Sequence, residues 1–377
     1  MKRILFLILL FLYCGLSYAQ TTDNGILVMD EFMVPSKRQH IEIPGFDGFQ
    51  ALKCDFHMHT VFSDGNVWPA VRVGEAWVEG LDVIAIADHM EYVPHSDDVK
   101  VDFNRSYELV KSLAADRNII LVKAAEITRQ TPPGHFNALF IQDASALLPG
   151  KAIPENDKEA VAKAVAQKAF IFWNHPGWKA ESIKGSYDWI DFVDQLDKEK
   201  NLHGIEVFNG DNFYRKALDW AVDHNLTVMA NTDVHGLTAM TYQLGDNSHR
   251  TMTLVFAKER SEAGVREALE AGRTVAWCGK YLAGKEAIMK NLFQACVNPG
   301  KPYLKKGTTR YFEISNQSDL YFELTRKVDN RTETILLYPR SSQLLTAKDG
   351  ENSREYEVAN AFVRGNQNLK VQFTLGD

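Results

Sequence analysis

The sequence predicts an α/β protein, a barrel of strands and helices, with a small antiparallel β domain appended. Apolar, β-branched runs alternate with helical periods over roughly 230 residues. These runs are apolar along their whole length, as expected when both faces of a parallel sheet are covered. After about residue 290 the sequence pattern changes to short predicted strands separated by turns of Asn, Asp, Ser and Gly. An open, doubly wound sheet is the alternative for the first part of the chain.

The amino terminus has the features of an export signal. Lys2-Arg3 precedes an apolar stretch of about a dozen residues, and Ser17-Tyr18-Ala19 offers small residues for cleavage. We therefore predict a signal peptide over 1–19, a leader over 20–46 and export, most simply to a periplasm. Lipid attachment at Cys14 is disfavoured because a bulky tyrosine precedes it. No later run of about 18 apolar residues follows, so we expect no membrane span after signal removal.

The barrel is assigned to residues 47–289 because strand and helix patterns alternate there. The predicted strands are 50–56, 81–87, 119–125, 168–173, 204–208, 227–231 and 251–257. The predicted helices are 69–80, 104–116, 157–168, 188–198, 213–225 and 261–272. In the last helix Val265, Ala268 and Leu269 share one face, and Ser261 is placed to cap the amino end.

The last part of the chain, 290–377, contains predicted strands and no convincing helix. It has no histidine, so we expect it to serve in packing or partner contact rather than in metal chemistry. Without Cys14 the cysteines are Cys54, Cys278 and Cys296, an odd number with no CxxC spacing. The pattern therefore predicts buried free thiols rather than a disulfide framework.

Charge limits the partners. The formal net charge is −7 and the chain contains no basic run that could hold a polyanion, so a nucleic-acid-binding surface is not expected. A small anionic substrate would need positive charge supplied locally, from metals or from a few basic side chains.

Polar side chains that can bind metals follow the predicted strands. The carboxyl ends of parallel barrel strands open onto one face, where active sites of such barrels lie. His57-Met58-His59 and Asp233-Val234-His235 place ligands at alternate positions of an extended segment, so both members of each pair point to the same side. Neutral imidazoles and carboxylates suit zinc, manganese or iron. The residues at strand ends are His57, His59, Asp64, His89, Glu126, His135, His175, Asp233 and His235.

Six ordered motifs carry a family resemblance over roughly residues 50–280: DFHMHTVFSDG, AIADH, AAEI, GHFNALF, WNHPG and NTDVHG. They resemble those of the polymerase and histidinol phosphatase (PHP) family of metal-dependent phosphoesterases. The resemblance implies a distorted (β/α)7 barrel holding two or three divalent ions, zinc or manganese before iron. The signal peptide, the PPGHFNALF stretch and the β tail look most similar to exported phosphodiesterases of organophosphate-diester type, and next to exported carbamate or aryl-ester hydrolases.

The resemblance also implies a ligand set. His57, His59, Glu126 and Asp233 would hold the first metal, with Glu126 bridging to a second. The second metal would be held by His135 and His175, and a third by Asp64, His89 and His235. The five histidines outside the motifs are interpreted as surface or loop residues: His40, His95, His203, His224 and His249.

Charge suggests how such a site would act. Two cations about 3.5–4 Å apart lower the pKa of a bridging water, making hydroxide available near neutral pH, and bind the phosphoryl oxygens during in-line attack. Asp233 is the candidate base that orients the hydroxide, and the resemblance implies that Glu126 would bridge the metals. Arg129, three residues further on, is a candidate for contact with a phosphate oxygen. Asp88, beside His89, is expected to hold an imidazole in its tautomer.

Three function classes remain open. The first is a phosphoric ester hydrolase acting on a small anionic substrate, with a diester favoured over a monoester because the motifs carry no cluster of arginine and lysine for a dianionic phosphate. The second is a carbamate or aryl-ester hydrolase on the same barrel, where two metals suffice. The third is a non-catalytic binding module, which the full set of expected ligands disfavours.

Overall fold

The computed structural model describes residues 37–127, 134–148, 156–178, 187–244 and 248–376. The expected signal peptide and most of the expected leader lie outside these residues. Among the helices described, none is long and apolar enough to cross a bilayer.

The barrel strands follow one another around a ring. They are β1 Gln50–Asp55, β2 Val83–Ile86, β3 Ile120–Ile127, β4 Phe136–Leu139, β5 Phe170–Trp173, β6 Gly204–Asn209, β7 Asn212–Phe213, β8 Thr227–Asn231 and β9 Met252–Ala257. The hydrogen-bonded order is β9-β1-β2-β3-β4-β5-β6-β8, and β7 pairs with Phe208 and Asn209 at the carboxyl end of β6. Every residue of β2, β4, β5, β6, β8 and β9 is buried, which explains why these strands are mostly apolar; Asn137, Glu206 and Asn231 are among the buried polar exceptions.

Two strands break the expected parallel arrangement, and one of them, β4, is not among the predicted strands. β4 pairs antiparallel with β3 and β5, and β9 pairs antiparallel with β1. The eight residues between β3 and β4 are too few for the crossover helix that a parallel neighbour needs. The segment between β8 and β9 contains only a one-turn helix, α6 Thr238–Thr241, among its described residues. The barrel is therefore distorted at these two places.

Between β8 and β9 the ring is closed by threonine side chains rather than by a backbone ladder, and beyond these strands a backbone bridge between Met58 and Val234 joins the chain after β8 to the chain after β1. Thr253 Oγ1 on β9 donates to Ala230 O on β8 at 2.7 Å and accepts from Ala230 N at 2.9 Å. Thr274 Oγ1 donates to Val228 O at 2.7 Å, bringing in the strand that follows β9 along the sheet. These contacts join the two ends of the sheet, so the open, doubly wound alternative is excluded.

Each helix predicted in the barrel is present, with ends shifted by a few residues. They are α1 Pro69–Val78, α2 Arg105–Asp116, α3 Asn156–Ala166, α4 Asp191–Lys198, α5 Arg215–Asp223 and α7 Glu262–Glu270. A 3-10 turn, Ser145–Leu147, precedes α3. In α7 Ser261 Oγ accepts from Gly264 N at 3.0 Å, and Val265, Ala268 and Leu269 are fully buried. The cap and the apolar face predicted for this helix are confirmed.

The carboxyl-terminal part packs two antiparallel layers against each other. Its elements are β10 Thr274–Cys278, β11 Tyr281–Gly284, α8 Glu286–Cys296, β12 Val297–Pro299, β13 Leu304–Lys306, β14 Thr309–Asn316, β15 Phe322–Val328, β16 Arg331–Leu337, β17 Ser342–Lys348, β18 Ser353–Arg364 and β19 Gln367–Thr374. One layer contains β12, β13, β14 and β17; the other contains β15, β16, β18 and β19. Phe312, Leu324 and Tyr356 are buried in the hydrophobic cluster of this region.

Two details differ from the sequence pattern or extend it. Helix α8 continues to Cys296, whereas no helix is expected after residue 290; its buried Met289, Leu292, Phe293 and Cys296 explain the helix as an amphipathic one. β18 also pairs in parallel with β11, so the second layer continues the barrel sheet. The three cysteines are free, with Cys54 and Cys296 buried and Cys278 half-buried.

Candidate metal centre

The structure brings all nine expected ligands together at one end of the barrel: eight lie at or after the carboxyl ends of strands, and His135 lies just before the amino end of the antiparallel β4. They form overlapping groups whose ligand atoms lie within 4.8 Å of one another: His59-Asp64-His89-His235, His57-His59-Asp233, His57-Glu126-His175 and His89-Glu126-His135. None of these groups, drawn from the described residues, contains one of the five other histidines. The groups share members, so the nine side chains form one continuous cluster.

Glu126, at the end of β3, lies at the middle of this cluster. Its Oε2 is 2.9 Å from His89 Nδ1 and 3.2 Å from His57 Nε2, and its Oε1 is 2.9 Å from His135 Nδ1. Burial opposes ionisation of Glu126, but the surrounding imidazoles, His89 first, hold the pKa of its carboxyl well below the usual range. The carboxylate is thus ionised and faces histidines on both of its oxygens.

Two further carboxylates contact histidines on the solvent-exposed side of the cluster. Asp233 Oδ1 lies 2.9 Å from His59 Nε2 and 3.3 Å from His57 Nε2. Asp64 lies 3.2 Å from His235 Nε2 and 3.4 Å from His89 Nε2. Asp64, Asp233 and His235 are partly exposed, with side-chain exposures of 20%, 19% and 36%, whereas His57, His59 and Glu126 are fully buried. The cluster is therefore open to solvent on the Asp64 and His235 side.

The donor set fits divalent cations. His57 Nε2 is buried and has no hydrogen-bond partner among the described residues, although Glu126 Oε2 and Asp233 Oδ1 lie within 3.3 Å of it. Burial and the neighbouring His89 lower the pKa of His59 to about 3, so its imidazole is neutral and its nitrogen can act as a ligand. Imidazole nitrogens and carboxylate oxygens converging on shared points are the ligands that zinc, manganese and iron accept.

Glu206 on β6 orients two of these histidines and was not anticipated from the sequence. Its Oε1 lies 2.9 Å from His57 Nδ1 and accepts from Asn231 Nδ2 at 2.9 Å. Its Oε2 accepts from His175 N at 2.8 Å and from Asn209 Nδ2 at 2.9 Å. With Nδ1 held by Glu206, the Nε2 of His57 faces the cluster. A single acid inside the apolar run 204–208 was the one sequence signal that could have revealed it.

Arg72 on α1 ties two ligand-bearing loops together and was also missed. Its guanidinium is fully buried and donates from Nε to His59 O at 2.9 Å and from Nη2 to Val234 O at 2.9 Å. Nη1 donates to Gly236 O at 2.8 Å and pairs with Glu75 at 2.9 Å. The arginine therefore fixes the loop after β1 against the loop after β8. A charged residue on the buried face of an amphipathic helix was the available signal.

We expected Asp88 to hold an imidazole, but its carboxylate instead accepts from Thr60 N at 2.7 Å and from Ser63 Oγ at 2.9 Å, which fixes the loop after β1. Glu126 Oε1 accepts from Asn174 Nδ2 at 2.8 Å, so the amide beside His175 orients this carboxylate. Arg129 lies outside the described residues.

Comparison with solved structures identifies the fold family. A two-domain protein of Bacteroides vulgatus, described as containing a predicted PHP-like metal-dependent phosphoesterase, is 38% identical to this chain. The similarity covers 90% of this chain and 99% of the other, with a TM-score of 0.84. The chain belongs to the PHP-like family of metal-dependent phosphoesterases. The resemblance proposed from its six motifs is confirmed.

Other similarities of this PHP-like chain are partial. Residues 297–374 match a family model described as an Ig-like domain, DUF5001. An uncharacterized protein of Methanocaldococcus jannaschii is 25% identical over 194 residues, which make up 49% of this chain and 82% of that protein. The PHP-like chain is thus an α/β barrel followed by an antiparallel β domain, as the sequence pattern predicts, and the family model adds that this domain is Ig-like.

Proposed function

We propose that this PHP-like phosphoesterase is an exported phosphodiesterase that acts with two or three divalent cations. The observation that supports this most directly is the position of Glu126. Each of its two oxygens lies close to histidines that come from different strands. A carboxylate with ligands on both oxygens is suited to bridge two cations.

The ligand assignment we propose follows the groups in the cluster. His57, His59, Glu126 and Asp233 would hold the first cation. Glu126 Oε1, with His135 at 2.9 Å and His175 at 3.6 Å, supports a second cation held by these three residues. Asp64, His89 and His235 would hold a third, which the contacts of Asp64 with both histidines support. Zinc and manganese suit this mixture of imidazoles and carboxylates, and iron is a further candidate.

The chemistry that bound cations supply is a water that ionises near neutral pH, together with positive charge for the phosphoryl oxygens. The protein orients the reacting groups. Asp233 Oδ1 is held by His59, and Asp233 Oδ2 is 3.4 Å from Asn209 Nδ2. We assign Asp233 the role of orienting the attacking water and Arg129 the role of contacting a phosphate oxygen. Attack forms one P–O bond and breaks the bond to the leaving alcohol.

Preference for a diester rests on the charges around the cluster. The six motifs that supply its ligands contain no lysine or arginine, and Arg129 is the single basic residue we assign to the substrate. A monoester brings a dianionic terminal phosphate, which phosphoryl-transfer sites commonly meet with additional basic side chains. A diester carries one negative charge and needs fewer of them.

The test is a paired measurement on purified mature protein. Metal content is determined by elemental analysis, and hydrolysis of bis(p-nitrophenyl) phosphate, p-nitrophenyl phosphate and p-nitrophenyl acetate is compared after loading with manganese or zinc. Two to three metals with preference for the diester are the expected result. Cleavage of the acetate with both phosphates untouched would contradict the proposal and favour a carboxylic ester or carbamate substrate.

Export is a separate part of the proposal and rests on the amino-terminal pattern. A basic start, a short apolar stretch and the small residues before Gln20 support cleavage after Ala19. Amino-terminal sequencing of the protein from a periplasmic fraction is expected to begin at Gln20. Full-length protein confined to the cytoplasmic fraction would contradict it.

A further inference from the structure

A basic cleft lies at the amino ends of the barrel strands, opposite the metal centre. It has a volume of about 340 Å³, and its charged lining consists of Arg38, Lys53, Arg117, Arg260 and Asp82, beside the exposed His40. Asp82 immediately precedes β2, whereas the ligand His89 follows the carboxyl end of that strand. The cleft and the metal centre are therefore at the two ends of the barrel.

Positive charge in this cleft exceeds the negative charge. Asp82 Oδ2 lies 2.6 Å from Lys53 Nζ, and its Oδ1 lies 3.5 Å from Arg38 Nη2 and 3.6 Å from Arg260 Nη2. One carboxylate thus faces three cations. Arg117 has its guanidinium 4.6 Å from the ring centre of Trp77. Four basic side chains and one acid leave three uncompensated positive charges, in a protein whose net charge is −7.

The guanidinium groups are held in place by neutral acceptors. Arg38 donates to Trp77 O at 3.1 Å and to Leu81 O at 2.8 Å. Arg260 Nη1 donates to Asn118 Oδ1 at 2.8 Å, and its Nη2 donates to Asn118 O. Carbonyl and amide oxygens orient these groups without neutralising them. A guanidinium has five N–H donors, so each of the two retains donors for a ligand.

The positively charged side chains of the cleft also lie close enough to repel one another. Burial and the charge of Arg260 lower the pKa of Arg38, although Asp82 acts in the other direction. An anion entering the cleft would relieve this repulsion and accept the remaining N–H donors. Planar guanidinium groups pair with the oxygens of phosphate-like groups through two parallel hydrogen bonds, which gives such a ligand a defined orientation.

We propose that this cleft binds a small oxyanion with two or more negative charges, either free phosphate or the phosphate group of a small organic molecule. Two or three negative charges would balance the excess in the cleft. The volume is at the lower end of the range for small-molecule sites and admits a phosphate with a modest organic group. This inference does not depend on the proposed phosphodiesterase activity.

The experiment is isothermal titration calorimetry of the metal-loaded protein with sulfate at low ionic strength. Sulfate is a doubly charged tetrahedral oxyanion that the protein does not consume. The double variant Arg117→Gln/Arg260→Gln is expected to weaken binding by roughly tenfold to a hundredfold, because charge-assisted hydrogen bonds are lost. Arg331→Gln, an exposed arginine on β16, is the matched control and should bind as the wild type does.

A single variant and a comparison of two phosphorus oxyanions distinguish the possible outcomes. Arg117 is exposed at the end of α2, so the single variant Arg117→Gln serves if the double variant does not fold. Tighter binding of phenylphosphonate than of inorganic phosphate, lost in the variant, would assign the site to an organic phosphate, and the reverse order to free phosphate. Absence of sulfate binding by the wild type, or equal binding by wild type and variant, would overturn the proposal.

Discussion

Replacement of Glu206 by glutamine isolates the effect of the residue that orients His57. The carboxylate accepts hydrogen bonds from two donors on each oxygen: His57 and Asn231 on Oε1, and the His175 amide and Asn209 on Oε2. A glutamine of the same shape keeps one oxygen and presents an NH2 group at the other. In either orientation of the glutamine amide, two of the four hydrogen-bond donors face its NH2 group instead of an oxygen.

The magnitude follows from those two lost contacts. Hydrogen bonds to a charged group contribute about 1.5–3 kcal/mol each, so the local loss is about 3–6 kcal/mol before relaxation. Partners that orient metal ligands typically change metal affinity by about 10- to 100-fold. We expect Glu206→Gln to lose metal affinity by that factor, or about 1.4–2.8 kcal/mol. The rest of the local free-energy loss should appear as a lower melting temperature of the metal-free protein.

The assay is competition with a fluorescent chelator, followed by elemental analysis. Glu355→Gln, which changes an exposed glutamate on β18, is the matched control and should retain wild-type affinity. If Glu206→Gln holds its metal against the chelator as well as the wild type does, Glu206 does not orient His57 in the way the hydrogen bonds indicate.

Further predictions concern the ligands, the buried arginine and pH. His57→Ala is expected to lose bound metal and turnover together, measured by elemental analysis and diester hydrolysis; an unchanged rate would contradict the site. Arg72→Met removes three carbonyl contacts and leaves Glu75 without a cationic partner, so we expect about 3–5 kcal/mol lower unfolding free energy in urea; a loss below about 1 kcal/mol would refute this role. Burial lowers the pKa of His249, so the unfolded chain binds a proton more readily than the folded protein does. The free energy of unfolding should therefore fall as the pH drops below about 6.5. In thermal melts His249→Gln should reduce this pH dependence, whereas the control His40→Gln, which changes an exposed histidine, should not.

The strand ends were the part of the site that the sequence could reveal. A ligand such as His89 or Glu126 follows directly from a local rule, because the chain position after a barrel strand determines where the side chain points. The family motifs then order these ligands into one centre. The structure accordingly brings the nine residues together without omission.

Other features depend on pairing across long sequence separations and leave little local signal. The direction of β4 and β9 is set by the connections that precede them, which periodicity does not report. Glu206 bonds to His57 from a position 149 residues away, and Arg72 bonds to Val234 from 162 residues away. Neither contact is encoded in spacing along the chain. Helix α8 was missed because its apolar positions lie where the composition shifts toward strands.

The threonine junction between β8 and β9 has a dynamic consequence. Within the described residues no backbone ladder joins these strands, so separating them breaks few bonds. Such a junction is a natural site for sub-global opening. The chain that leaves β8 continues to Asp233 and His235, but backbone hydrogen bonds from Asp233 N to His57 O and from His59 N to Val234 O hold it against the chain after β1, so opening of the junction should leave these two candidate ligands in place. Amide hydrogen exchange at Ala230, whose N–H donates to Thr253 Oγ1, therefore reports how often this junction opens while the cluster of candidate ligands stays intact.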